Sequence, residues 1–272
     1  MDNVDLKKKY NPEGSELRKA QYRMLEMLCY IDKVCKEHSI TYWLDSGTLL
    51  GAVRHGGFIP WDDDTDICMP ESDAKRFKKV MLSQYSDCEF VLQCRETDPG
   101  FFGAWLVIRD RKSEYLQDSN LHRARKYRGL QVDIFIVKNH NMPILHKIAS
   151  ALEDRLIARP LRKYSFSKLL AFSCQMWYGV NYGILFRFFN VISMLFSGKE
   201  YFTFTYGTCF KDSHLIESIF PLQRLTFEGR EFNVPKNADK YLTESYGDWR
   251  RIPGEDEIET HNVKVVFYND VK

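Results

Sequence analysis

The stretch SGTLLGAVRHGGFIPWDDDTDICMP, residues 46–70, carries Asp62, Asp63, Asp64 and Asp66 within five positions, and Glu71 follows just beyond. Like charges this close repel one another unless a cation sits among them. Read as a strand, DTDICMP (64–70) turns Asp64 and Asp66 to one face and Thr65 and Ile67 to the other. Two carboxylates on one face make a hard-oxygen site suited to Mg2+, which takes one or two protein carboxylates and completes its shell with water and substrate phosphates. A further acid, Asp133, stands in LQVDIFIV (130–137) among Val132, Ile134, Phe135 and Ile136. A lone carboxylate in an apolar strand is costly unless it is paired or metal-bound. It reads either as a strand-end acid that caps a helix or pairs with an arginine, or as a third carboxylate facing the same metal. In the second reading it is both a ligand and the general base for an incoming hydroxyl. A calcium loop does not fit, because Ile67 stands where glycine is required, Asp73 where glutamate is, and Pro70 interrupts the run. A solvated acidic turn explains the polarity but neither the Gly-Thr turn before it nor the acid in the later strand.

These acids need elements to hold them. Apolar residues Leu17, Met24, Leu25, Leu28, Ile31 and Val34 recur at helical spacing between 15 and 39, with Ser15 as N-cap. TYWLDSG (41–47) reads as a short strand ending in a turn, and GTLLGAVRH as a short helix starting there. The backbone N–H groups at Gly47 and Thr48 suit phosphate oxygens. Residues 71–85 read as an amphipathic helix, with strands near 89–94, 104–109, 113–117 and 130–137. Residues 144–197 look helical and aromatic, 224–235 resemble a hairpin turning at Glu228-Gly229, and 237–247 a helix capped by Asn237 and stopped by Gly247. The order of parts is strand, Gly-Thr turn with helix, D-x-D, then an acid on a later strand. Acids beside a phosphate cradle imply metal-assisted phosphoryl or nucleotidyl chemistry.

Bulk composition narrows the classes. A length of 272 residues with 44% hydrophobic and 28% charged residues is ordinary for a folded globular protein. A net charge of +2 is too mild to argue for nucleic acid. The seven cysteines include no CxxC, so neither a metal finger nor a disulfide framework is expected. The polar N-terminal segment shows no secretory signal, which implies a cytoplasmic chain.

YWLDSGTLLGAVRHGGFIPWDDDTDI, RGLQVDIFIV and FEGREFNVPKNADKYLTESYGDWRRIP, followed by His261, together resemble the LicD family of bacterial phosphocholine transferases and animal fukutin-related proteins. The matching segments cover roughly 20–137 and 215–262. The family is similar to the nucleotidyltransferase superfold, whose motifs fall here on Gly47-Thr48, Asp64-Thr65-Asp66-Ile67 and Asp133, with Thr48 replacing a smaller residue. The resemblance implies an α+β fold: a nucleotidyltransferase-like mixed β-sheet core flanked by helices, with a helical insertion. The expected division is a catalytic core over 1–140, an aromatic-rich helical insertion over 141–210 and a C-terminal segment over 211–272 that packs back on the core. The implied reaction moves a phospho-alcohol from a CDP-activated donor to a sugar hydroxyl of a glycan precursor, releasing CMP. It uses Mg2+, with Mn2+ as the alternative metal. Animal members carry a cysteine zinc site, and this chain has no such cluster, so no zinc is expected.

Other residues have two readings each. Arg54 and His55 either contact donor phosphates or CMP, or satisfy a helix C-terminus. Trp61 either stacks on cytosine or packs in the core. Arg109 is expected to point into the cleft toward phosphate. Asp62 and Asp63 support the metal acids or lie at the surface, and His261 matches a recurring family histidine of unassigned role. The uncharged run from Leu169 to Phe186 is borderline for a membrane span. The stretch 164–197 therefore reads as buried helices, as interfacial docking at the inner face of a membrane, or as a span. Two rival functions share the site: a nucleotidyltransferase acting on a protein or small molecule, and a non-catalytic assembly protein of glycan synthesis. The intact acid trio argues against the second.

Overall fold

The computed structural model describes residues 3–84, 87–116, 120–139, 142–164, 167–196, 198–210, 212–258 and 264–268. The first helix, α1 (Asn3–Tyr10), leads into α2 (Glu16–Glu37). Ser15 caps α2 as expected: its hydroxyl accepts from the Arg18 amide at 3.1 Å. The chain continues through β1 (Trp43–Leu44), α3 (Ser46–His55), β2 (Asp66–Pro70), α4 (Glu71–Gln84), β3 (Phe90–Gln93), β4 (Leu106–Asp110) and β5 (Ser113–Tyr115). Next come α5 (Asn120–Ala124) and β6 (Gln131–Lys138), the longest strand. The expected ends of the helix at Tyr85 and of the strand at Gln117 lie outside the described residues.

The helical segment follows as α6 (Pro143–Glu153), a π turn (Asp154–Ala158), α7 (Arg159–Lys163), α8 (Lys168–Val180), a second π turn (Asn181–Leu185) and α9 (Phe186–Phe196). After it come β7 (Tyr201–Phe204), β8 (Ser213–Leu215), α10 (Ile216–Ile219), the hairpin β9 (Gln223–Phe227) and β10 (Arg230–Val234), α11 (Ala238–Tyr246) and β11 (Val265–Phe267). Glu228 and Gly229 both take positive φ, 49° and 74°, as a two-residue hairpin turn requires.

The main sheet runs β1-β2-β6-β4-β3, and β7 and β8 continue it beyond the far half of β6. β2 and β6 are parallel, whereas β6 pairs antiparallel with β4 and with β7. Mixed strand directions with flanking helices make this the α+β fold anticipated from sequence. β6 is central because its apolar residues serve both faces: Val132, Ile134 and Val137 are buried within one core with Met24, Met27, Leu28 and Ile31 of α2 and Phe77 of α4. Phe227, Phe232, Tyr241 and Trp249 of the C-terminal segment belong to that same core, while the helical segment forms two smaller clusters. All seven cysteines are free thiols.

Two long-range ties shape the loop that delivers the acids. Arg18 donates to Glu228 Oε2 at 2.7 Å, and the Phe58 amide donates to Glu228 Oε1 at 3.1 Å, so the hairpin turn pins residues 56–58. Gly51 lets that loop cross α3: a Cβ there would lie 2.5 Å from the Gly57 carbonyl oxygen.

Candidate active site

β2 starts at Asp66, not at residue 64, so Asp64 stands in the coil just before the strand. A regular strand therefore does not place Asp64 and Asp66 on one face. The parallel pairing with β6 gives out here, its last rung being the Asp133 amide donating to the Thr65 carbonyl at 2.8 Å. The ladder sets Asp66 directly opposite Asp133. Neighbouring strands lie about 4.8 Å apart, so the two carboxylates share one sheet edge.

Little positive charge balances these acids. Asp66 is only 7% exposed, and burial followed by the charges of Asp64, Asp133, Asp45 and Asp62 holds its carboxyl well above the usual range. Burial, reinforced by Asp64, raises Asp62 in the same way. Asp133 is pushed up to about 6, chiefly by burial, while Arg109 and Arg125 pull it down. Trp105 Nε1 donates to Asp133 Oδ1 at 3.2 Å and Gln131 Nε2 to Oδ2 at 2.9 Å, so both oxygens are oriented. Among the described residues no group of three His, Cys, Asp or Glu side chains forms a ready-made metal cage.

α3 is latched to this edge. The Asp66 amide donates to Thr48 Oγ1 at 2.8 Å, and the Asp45 amide donates to the Asp66 carbonyl at 3.1 Å. Thr48 thus positions Asp66 through its side chain, a role beyond the backbone cradle read from sequence. Gly47 lies in the first turn of α3, and a Cβ there would come within 2.9 Å of Asp62 Oδ2. The absence of a side chain lets Asp62 close on the positive end of that helix. Asp63 accepts from the Tyr115 hydroxyl at 2.5 Å.

The other anticipated residues have different placements. Arg54 donates to the carbonyls of Trp249 and Arg251 at 2.8 and 3.1 Å, and to His55 Nε2 at 2.9 Å. His55 is buried, and burial together with the Arg54 charge lowers it to about 4, which leaves it a neutral acceptor. Trp61 packs edge-on against Tyr10 and His55, with ring centroids 5.5 and 6.3 Å apart. Arg109 does not open into the cleft. It is 3% exposed, and its guanidinium donates to Gln93 Oε1 and the Gly129 carbonyl, each at 2.8 Å. Burial lowers it to about 9. Register explains this, since Val107 of β4 faces Asp133 and Arg109 lies opposite Gln131, further toward the strand end. His261 lies outside the described residues.

Three residues emerge that sequence reasoning missed. Asp45, the N-cap position of α3, is 2% exposed and accepts from the Tyr241 hydroxyl at 2.7 Å, and burial raises its carboxyl. It stands in the YWLDSG stretch directly before the turn, where its position was the available signal. Tyr246, at the end of α11, is 47% exposed. Its hydroxyl is nonetheless raised by burial and by the carboxylates of Asp45, Asp66, Asp62 and Asp64, so it borders the cluster. Arg125 lies over the Phe101 ring at 5.6 Å and feels Asp133 and Asp98, yet makes no side-chain hydrogen bond or ion pair among the described residues. Arg125 and Trp105 also line a cavity of about 250 Å3 that extends past Phe102 to Glu153 and Thr208. A basic run, RARK at 123–126, was the only trace of Arg125 in the sequence.

Comparison with known proteins gives this geometry a lineage. Residues 39–172 match the family described as LicD/FKTN/FKRP, nucleotidyltransferase domain. The chain is 25% identical over 281 residues to the lipopolysaccharide cholinephosphotransferase LicD of Haemophilus influenzae, covering 92% of this chain and 97% of that protein. It is 50% identical over 38 residues to human ribitol 5-phosphate transferase FKRP, covering 14% of this chain and 8% of that protein. It is 28% identical over 141 residues to Mannosyltransferase regulator 4 of Saccharomyces cerevisiae, half of this chain and 11% of that one. The matched segment contains the α3 turn, the acidic loop, β2 and β6, which build the carboxylate edge. On that shared stretch and on the near full-length likeness to the bacterial protein, the chain belongs to the LicD family.

Proposed function

We propose that the chain transfers a phospho-alcohol group from a CDP-activated donor to a hydroxyl of a cell-surface glycan precursor. The acceptor oxygen bonds to the phosphorus that carries the alcohol, the bond from that phosphorus to the bridging oxygen breaks, and CMP departs with the bridging oxygen. Asp133 takes the hydroxyl proton. Its position near pH 6 suits a base working close to neutrality, and Trp105 and Gln131 hold its two oxygens in place. The first turn of α3, with Gly47 bare, faces its N–H groups toward donor phosphates. Arg125, which feels the Asp133 charge and makes no side-chain hydrogen bond or ion pair among the described residues, would meet phosphate oxygens with the fork geometry for which arginine is suited. The cavity next to Trp105 offers room for the alcohol.

The single observation that carries this reading is the opposition of Asp66 and Asp133 amid further acids, with both of these carboxyls held above their usual range. Carboxylates so crowded and buried fit a divalent cation bound by Asp64, Asp66 and Asp133. One or two of these suffice for Mg2+, so a complete cage of three is not required. When bound, the ion would neutralise phosphate charge and ease ionisation of the acceptor hydroxyl. The likeness to a cholinephosphotransferase over nearly its whole length supports phospho-alcohol transfer.

The test is CMP release from CDP-choline, CDP-glycerol and CDP-ribitol, with Mg2+ and with a chelator. Metal-dependent release from at least one donor is expected. Turnover of free nucleoside triphosphates with none of these donors used would instead favour nucleotidyl transfer to a protein or small molecule.

A further inference from the structure

The helix from Lys168 to Phe196 runs 29 residues through α8, the second π turn and α9. At 1.5 Å per residue it is about 43 Å long. It has two unlike faces. Cys174, Asn181, Phe186, Phe189 and Ser193 are buried against the body of the protein. On the other side Leu169, Phe172, Met176, Val180, Ile184, Phe188, Val191 and Leu195 follow one another in steps of three or four, each between 38% and 77% exposed. Single exposed apolar residues are commonplace, but an unbroken ridge of this length marks a contact surface.

The surroundings of the ridge indicate what covers it. Residues 142–200 carry eight Lys or Arg against three Asp or Glu, although the whole chain nets only +2. Lys168 lies one turn before Phe172, and Arg187 lies within a turn of both Ile184 and Val191, so exposed cations sit along the ridge itself. A second exposed pair, Ile144 and Ile148, stands on α6, which packs against the same helix through Leu145 and Ala149.

The inner face argues against a membrane crossing. Lys138 Nζ donates to Asn190 Oδ1 at 3.1 Å, and Ser193 and Tyr206 share a hydroxyl contact at 2.5 Å. Gln175 donates to the Pro99 carbonyl at 2.9 Å, and Tyr178 packs on Phe102. These ties run along the helix and hold it lengthwise against the body; a span would have to break them and bury their polar partners in lipid.

We propose that this ridge docks the protein onto an anionic lipid surface, lying in the headgroup boundary with its apolar side chains inserted and its cations on the lipid phosphates. Docking is independent of which donor the enzyme uses.

The experiment is co-sedimentation of the full chain with vesicles of neutral phosphatidylcholine or of phosphatidylcholine mixed with anionic phosphatidylglycerol, at low and high salt. Binding to the anionic vesicles is expected, at least tenfold stronger than to neutral ones and weakened by salt. The double variant Ile184→Asp/Phe188→Asp, both positions being exposed, is expected to lose that binding with an unchanged thermal midpoint. Wild-type protein on native membranes is expected to be released by alkaline carbonate. Three results would overturn the proposal: no difference between the two vesicle types, retention through the carbonate wash as for a span, or a concentration-dependent dimer that the double variant dissolves. Should the double variant misfold, the vesicle and carbonate measurements on wild type decide alone.

Discussion

Asp66 on β2 and Asp133 on β6 stand directly opposite each other on adjacent parallel strands, although 67 positions separate them in the chain. The pairing concentrates negative charge at one sheet edge that the protein does not neutralise by itself. Stability and activity should therefore respond to these acids in opposite ways.

Asp66→Asn and Asp133→Asn are each expected to lower transfer by about 10³-fold or more, within the range for a lost general base or charged ligand. In the absence of metal their thermal midpoints should equal or exceed the wild type, because each removes a buried, repelled carboxylate. CMP release and calorimetry on the same preparations check both halves, and full activity in either variant would remove the site assignment.

The pH dependence follows from the sign of the shift. Asp133 binds its proton more tightly in the folded chain, near 6, than at the ordinary carboxylate value of 3.8. Its contribution is fully present below the unfolded value and disappears as pH rises through about 6, at about 1.4 kcal/mol per pKa unit. His55 works the other way: lowered to about 4, it favours the folded state above 6.5 and opposes it as pH falls. Comparison with Asp133→Asn isolates the Asp133 contribution. Metal-free wild type should lose stability relative to the variant between pH 4 and 7, and added Mg2+ should restore it above pH 6.

Two glycines of α3, Gly47 and Gly51, should differ in what alanine does. Gly51→Ala meets a backbone carbonyl at 2.5 Å and is expected to cost about 1–3 kcal/mol by overpacking. Gly47→Ala meets only the end of the Asp62 side chain at 2.9 Å, which can move. It should cost less stability, yet reduce transfer by displacing Asp62 from the α3 terminus. Chemical denaturation and CMP release separate the two, and equal stability losses would contradict the contrast.

Arg125 and Arg109 should also part company. Arg125→Gln is expected to lower transfer about 100-fold, the scale of one lost donor to developing charge, with little change in unfolding. Arg109→Gln removes a guanidinium that supports Gln93 and the Gly129 carbonyl, so it should chiefly destabilise the fold. Steady-state kinetics beside thermal melts distinguishes them; the reverse pattern would return Arg109 to the cleft.

The sequence by itself carried the local features. Ser15, Asn237 and the Glu228-Gly229 pair announced a cap, a second cap and a turn, because capping and hairpin geometry depend on a few consecutive residues. The apolar run around Asp133 marked a central strand, since both faces of β6 had to be buried. The acids were visible through their cost. What only the tertiary structure decided were relations across the chain: the opposition of Asp66 to Asp133, the latch from Thr48, the commitment of Arg54 to the C-terminal carbonyls, and the burial of Arg109 on Gln93 and the Gly129 carbonyl. Arginines look alike in a sequence, and which one the fold ties to neighbouring carbonyls depends on strand register and on which carbonyls lie within reach. The aromatic helix likewise showed its length in the sequence, but only its packing revealed that one side is held by Lys138 and Tyr206 and the other is bare.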